Sequence, residues 1–177
     1  MSECETDSPL SLSKTCFPGG KTLVMIAALV DGVRVGRIRL KIIPDASAVS
    51  LESAIIDTVE PGTRVRTDGW KSYSRLSILG YTHEVIRKDS SIGDDLLPNC
   101  HRVASLLKRW LMGTHQGAVS HEHLEYYLDE FTFRFNRRTS RSRGKLSFRL
   151  IQQAATVDPA PVKSLVKNAR GRRPAPN

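Results

Sequence analysis

Cysteine is scarce in this chain. Cys4, Cys16 and Cys100 are the only three in 177 residues, too scattered for a C-x-x-C zinc pattern and odd in number for a disulfide framework, so a reducing, cytoplasmic setting fits best. No uninterrupted apolar run approaches the roughly 18 residues needed to cross a bilayer. The N-terminus is Ser-rich and acidic rather than basic then apolar, so neither a signal peptide nor a membrane span is expected. Negative charge is in short supply as well. Against 18 Asp and Glu stand 27 Lys and Arg, a net charge of +9. The excess gathers in Arg134, Arg137, Arg138, Arg141, Arg143, Lys145 and Arg149, and again in Lys163, Lys167, Arg170, Arg172 and Arg173. Such clusters favour a polyanion, most often nucleic acid, over an acidic small molecule; a plain soluble basic surface is the alternative.

What is present has the balance of a soluble globular domain: 40% hydrophobic, 25% charged, 12 Gly and 9 Pro. Residues 1–20 carry prolines and a closing Gly19-Gly20 pair without periodicity, and read as loop. Residues 21–30 (KTLVMIAALV) form a near-continuous apolar run suited to a buried strand, and Asp31-Gly32 is a hairpin turn signal. Residues 33–43 alternate Val33, Val35, Ile38, Leu40 and Ile42 against basic residues, with Gly36 marking a candidate bulge. A helix is predicted from Ser47 or Ser50 to Val59, stopped by Pro61-Gly62, and a short strand over 63–67 then delivers Asp68 and Gly69. Strand, helix, strand implies a crossover that puts Asp68 at a strand's C-terminal end, where open α/β sheets collect functional groups. A short helix over 73–79, a strand over 81–87 and a polar loop over 89–98 complete the first half.

The second half is organised around residues 98–111. Val103, Leu106, Leu107, Trp110 and Leu111 form the stripe of an amphipathic helix, while His101, Ser105, Lys108 and Met112 share another face. That face is either a solvated polar surface or a place where a histidine and a lysine act together. Residues 113–117 break the helix. Ser120 is placed to cap the next one, whose apolar stripe is Leu124, Tyr127, Leu128, Phe131 and Phe135. His121 and His123 are two apart on that helix and diverge, which argues against a metal pair. After a basic Ser/Arg loop, residues 146–155 read as a last helix and the remainder as a tail.

Thr67-Asp68-Gly69-Trp70 with Tyr73, then Gly80-Tyr81 and His83, the run from His101 to Leu111, Gly113-Thr114-His115, Ser120, His123-Leu124, Tyr127-Leu128, Glu130-Phe131, Phe133-Arg134 and Asn136-Arg137 together resemble the ISXO-type transposase domain. These are insertion-sequence transposases of the DDE superfamily. The resemblance runs from about Lys21 to Ala155. It implies an α/β, RNase H-like mixed sheet with helices on both faces, divided here into a degenerate N-terminal segment (1–20), the catalytic domain (21–155) and a basic tail (156–177). It also implies DNA strand cleavage and transfer with Mg²⁺ or Mn²⁺, because carboxylates hold the two hard cations used for phosphoryl transfer.

In this superfamily the first catalytic Asp sits on the first strand, the second at the end of the fourth, and the third residue on the helix that follows. By resemblance Asp68 matches the second position and His101, thirty-three residues on, the third, a place where this group tolerates Glu, Asn or His; Lys108 matches the family's lysine seven residues later. Asp68 and His101 are thus the implied metal ligands. Arg134, Arg137, Arg138, Arg141 and Arg143 are the expected DNA contacts. The family normally carries Asp-Glu-Thr on the first strand, before glycines and a Lys-Thr-Leu-Val strand. Cys4-Glu5-Thr6 stands at about that distance before Lys21, which makes Cys4 the degenerate first position, leaves the first strand incomplete and keeps Asp7 as a substitute carboxylate. The expected function is therefore transposition by a truncated, catalytically impaired copy, with a non-catalytic DNA-binding remnant that interferes with an intact transposase as the alternative. The implied partners are DNA, as insertion-sequence ends and target, and a second copy of the chain; the implied location is the bacterial cytoplasm, at the nucleoid.

Overall fold

The computed structural model describes residues 9–17, 22–87, 96–115, 119 and 123–158. Five strands form one mixed sheet: β1 (Leu10–Phe17), β2 (Thr22–Asp31), β3 (Arg34–Ile43), β4 (Arg64–Thr67) and β5 (Thr82–Val85), in the order β3-β2-β1-β4-β5. β1, β2 and β3 are successive antiparallel neighbours, whereas β1 pairs with β4, and β4 with β5, in parallel. This is an α/β mixed sheet, as the resemblance implies.

One expectation is corrected here. Residues 1–20, read as loop with an incomplete first strand, contain the eight-residue β1, which pairs along its whole length with β2 from Leu10↔Leu29 to Phe17↔Thr22. The first strand is central in the sheet. Its signal was the short alternation Leu10-Ser11-Leu12-Ser13, whose serines do not look like strand formers, yet Ser11 and Ser13 are buried beside Ala28 and Ile26 of β2. Tertiary pairing outweighs their weak propensity.

The hairpin at Asp31-Gly32 forms as expected, with Gly32 at φ 57 and Asp31 facing Arg34. The bulge also forms: Ala28 faces Ile38 but Val30 faces Val35, so Gly36 and Arg37 together oppose Leu29.

Four helices stand among the described residues: α1 (Ala48–Ile56), α2 (Pro98–Thr114), α3 (Leu124–Asn136) and α4 (Arg143–Thr156), of which the first three pack on the sheet. The Ser47 hydroxyl caps α1 by accepting from the backbone N–H of Ser50. On one face Leu51, Ala54 and Ile55 of α1 close over Leu12, Met25, Ala27, Ile43 and Val65, with Tyr73, Leu76 and Tyr81 filling the edge. On the other, Cys100, Val103, Leu107 and Leu111 of α2 and Leu124, Leu128 and Phe131 of α3 pack on Val24, Ile26, Ala28, Val35 and Ile38. The period-2 alternation of β2 explains both layers: Met25 and Ala27 face α1, Val24, Ile26 and Ala28 face α2 and α3.

The predicted short helix over 73–79 is a single 3-10 turn, Lys71–Tyr73, followed by turns. α4 begins three residues before its predicted start and is exposed over nearly its full length. The Ser120 cap and His121 lie outside the described residues, as does the tail from 159 onward. No helix among the described residues is long and apolar enough to cross a membrane.

Candidate functional site

The site is built where β4 ends. Thr67 is fully buried; its hydroxyl lies 2.8 Å from His83 Nε2 on β5 and accepts at 3.3 Å from the backbone N–H of Gly69. Between them Asp68 is exposed, and its Oδ1 accepts from the backbone N–H of Trp70 at 3.3 Å, an Asx turn that holds the carboxylate at the strand's lip. Gly69 sits at φ 75, and a Cβ there would lie 2.7 Å from Val85 Cγ1, so the turn admits glycine alone without rearrangement. Trp70 is pinned by its indole N–H donating to Ser72 Oγ at 3.1 Å, and Ser72 in turn donates to the Ala46 carbonyl at 2.8 Å. The Thr-Asp-Gly-Trp motif is therefore a built turn rather than a chance string.

β1 runs alongside. Leu10 is level with Val65 and Ser11 with Arg66, in parallel. Continuing that register two residues brings Ser13 level with Asp68. Because Leu12 faces α1, Ser11 and Ser13 face the α2 side. The helix reaches β1 at this point, for the Cys100 thiol, fully buried, donates to the Ser11 carbonyl at 3.2 Å.

His101 follows in the first turn of α2 and Lys108 two turns later; both are exposed and each makes an interaction within the fold. The Cys100 thiol thus ties the start of α2 to β1, the strand that pairs with β4.

The electrostatics at Asp68 are unlike those of a carboxylate cluster. Lys14 reaches over the Trp70 ring, its Nζ 3.5 Å from the centroid. Desolvation lowers its pKa, and the Asp68 carboxylate opposes that shift, so the ammonium is close enough to feel Asp68. Tyr73 is also buried, with a hydroxyl that finds no hydrogen-bond partner among the described residues. Its phenol is pushed well above its ordinary value, first by burial, then by the neighbouring charges of Asp68 and Cys100.

Cys4 and Asp7 lie outside the described residues. On β1, the register with β4 continued two residues past Ser11↔Arg66 sets Ser13 opposite Asp68.

Of the expected DNA-contact arginines, Arg134 pairs with Glu130 at 2.7 Å, Arg137 stacks on Phe133 at 3.8 Å, and Arg138 lies on Phe135 at 4.0 Å while donating to the Val35 carbonyl. Arg141 is exposed, and the Arg143 side chain lies outside the description. His115 packs edge-on to Trp110 at 4.8 Å and against Tyr127 at 4.5 Å, a structural role.

Residues 12–136 match the ISXO2-like transposase domain family. No curated protein matches the chain. Among solved structures, it is similar to a chain of the simian T-cell lymphotropic virus intasome in complex with the PP2A regulatory subunit B56 gamma, at 14% identity and TM-score 0.48, covering 72% of this chain and 48% of that one. It is also similar to the catalytic domain of the Mos1 mariner transposase, at 14% identity and TM-score 0.44, covering 73% and 72%. The chain thus spans about half the length of the intasome chain it matches.

Proposed function

The chain belongs to the ISXO2-like transposase domain family, and from that premise we propose that it is a DNA-binding domain of an insertion-sequence transposase whose strand cleavage and transfer are impaired. The observation that carries this reading is the parallel register of β1 and β4, which continued two residues past Ser11↔Arg66 sets Ser13 opposite Asp68; on this reading Ser13-Lys14-Thr15 stands where the family carries Asp-Glu-Thr. The family uses divalent metal in general, and a pair of such ions would activate the attacking oxygen and stabilise the leaving one.

The residues here do not fit that pair. A hydroxyl replaces the carboxylate that would bridge two ions, the next side chain on β1 is an ammonium drawn toward Asp68, and no group of three or more His, Cys, Asp or Glu able to hold a metal stands among the described residues. Asp68 and His101 remain as two donors, with Lys108 on the same helical face as His101. Two donors suit a single transition-metal ion, held weakly, better than Mg²⁺, which demands oxygen ligands in near-ideal geometry.

DNA binding does not depend on that pair. Net charge +9, and arginines clustered at the end of α3 and beyond, support attachment to a polyanion. The chain then occupies DNA without cutting it and so interferes with an intact relative.

A strand-transfer assay on DNA carrying insertion-sequence ends, run beside a gel-shift titration of the same DNA, tests both parts. The expected result is a retarded complex with transfer at background. Robust Mg²⁺-dependent transfer by the unmodified chain overturns the impairment, and absence of a complex overturns the DNA-binding reading.

A further inference from the structure

Between α2 and α3, at the start of β3, lies an open groove of about 860 Å³. Arg34, Arg102 and Arg109 stand on it, while Leu106, Trp110 and Phe131 form its apolar part; no lining residue is acidic. Arg34, Arg102 and Arg109 have no ion-pair partner among the described residues, unlike Arg134 and Arg138, which also border the groove but are held by Glu130 and by the β3 backbone. Leu106 is 37% exposed in the midst of this charge. An exposed leucine and a partly exposed indole ringed by unpaired guanidinium groups make a surface for a ligand that is anionic along one edge and flat and apolar along the other.

We propose that this groove binds unpaired DNA, with phosphates on Arg34, Arg102 and Arg109 and a base laid against Trp110 and Leu106. Charge complementarity selects a polyanion. The apolar part selects against a duplex, whose bases are stacked inside and whose phosphates alone would leave Leu106 and Trp110 uncovered. A guanidinium presents a planar fork that grips phosphate in two bonds, which a chain of carboxylates could match only by leaving the aromatic part empty.

The groove shares no lining residue with the Asp68 turn. Arg102 and Arg109 each follow His101 and Lys108 by one residue, about 100° further round the same helix. A strand held here would run beside the His101–Lys108 face. The inference rests on the DNA-binding reading and names the form of DNA.

Trp70 and Trp110 are the only two tryptophans, so fluorescence can locate the contact. The full chain is titrated with an oligothymidylate of about twelve nucleotides, with Trp110→Phe and Trp70→Phe as the two assigning variants. Quenching is expected in the native chain and in Trp70→Phe, and is expected to vanish in Trp110→Phe. Arg102→Gln with Arg109→Gln should raise the dissociation constant at least tenfold; should that pair melt early, Leu106→Glu, at an exposed position, plants a carboxylate in the groove and should weaken binding to the same order.

A silent Trp110 overturns the assignment, as does equal affinity for an abasic oligonucleotide of the same length or equal displacement by polyglutamate, which would point to an acidic protein partner. Duplex binding with Trp110 silent removes the groove and leaves the DNA-binding reading intact; binding to neither form removes both.

Discussion

On the proposed reading one residue, Ser13, decides most of the chemistry. Ser13 is buried on β1, level with Asp68, where a hydroxyl offers a neutral, weak ligand instead of a charge. Lys14, the next residue, brings an ammonium toward Asp68 over the Trp70 ring. Replacing both, Ser13→Asp with Lys14→Glu, should give the fold a carboxylate cluster that like charges destabilise until a cation arrives. The expected outcome is a lower melting temperature than the native chain without metal and a rise on adding Mn²⁺ that the native chain does not show; an equal Mn²⁺ response in both would mean Ser13 is not the missing ligand position. A second residue carries a pH dependence. Burial lowers the His83 pKa, so the folded state prefers the neutral ring that faces the Thr67 hydroxyl. Its contribution is fully present above the ordinary imidazole value of about 6.5 and is lost as pH falls through the lower folded value. Thermal melts between pH 7.5 and 5 should show that loss, and His83→Gln should reduce it.

At the scale of elements, one side chain of α3, besides its apolar packing, hydrogen-bonds the helix to the backbone of β3. Asn136 Oδ1 accepts from the Ile38 N–H at 2.7 Å and its Nδ2 donates to the Ile38 carbonyl at 2.9 Å, so an amide stands in for a neighbouring strand at the edge of β3. Asn136→Ala should cost about 1–3 kcal/mol, since it leaves two half-buried backbone groups without their partners. Denaturant titration measures the loss, and faster amide exchange at Ile38 would locate it; unchanged exchange there would show that the clamp is not what protects the edge. Much of this architecture was legible in the chain. The runs 21–30 and 33–43, the Asp31-Gly32 turn and the stripe of α2 follow from periodicity, because burial on one face writes itself into spacing. β1 was not legible: an eight-residue strand that opens on alternating Leu and Ser and goes on through Lys14, Thr15 and Cys16 has the period but not the composition of a central strand, and only pairing with β2 and β4 makes it one. For the same reason Asp68 could be placed from sequence while Ser13 could not. A carboxylate before Gly-Trp carries its own signal; a serine carries none until a register puts it beside Asp68.

For the molecule as a whole, the surplus of positive charge is the property that should be easiest to measure. If the basic residues neutralise DNA phosphates, each contact releases counterions and adds about −0.9 to the slope of log K against log salt on duplex DNA. The arginines at the end of α3 are not equivalent in this. Arg138 is committed to the Val35 carbonyl and the Phe135 ring, so Arg138→Gln should lower stability as well as affinity. Arg137 is stacked on Phe133 with its guanidinium edge still able to donate, and Arg141 is exposed. Arg137→Gln with Arg141→Gln should therefore leave the melting temperature near that of the native chain while reducing the magnitude of the salt slope by about 2, two contacts at roughly 0.9 each. Filter binding of a duplex across 50–300 mM salt reads the slope directly. A native chain whose affinity hardly responds to salt would show that the +9 charge is a solvated surface, and a double variant with an unaltered slope would move the duplex contact away from the α3 end.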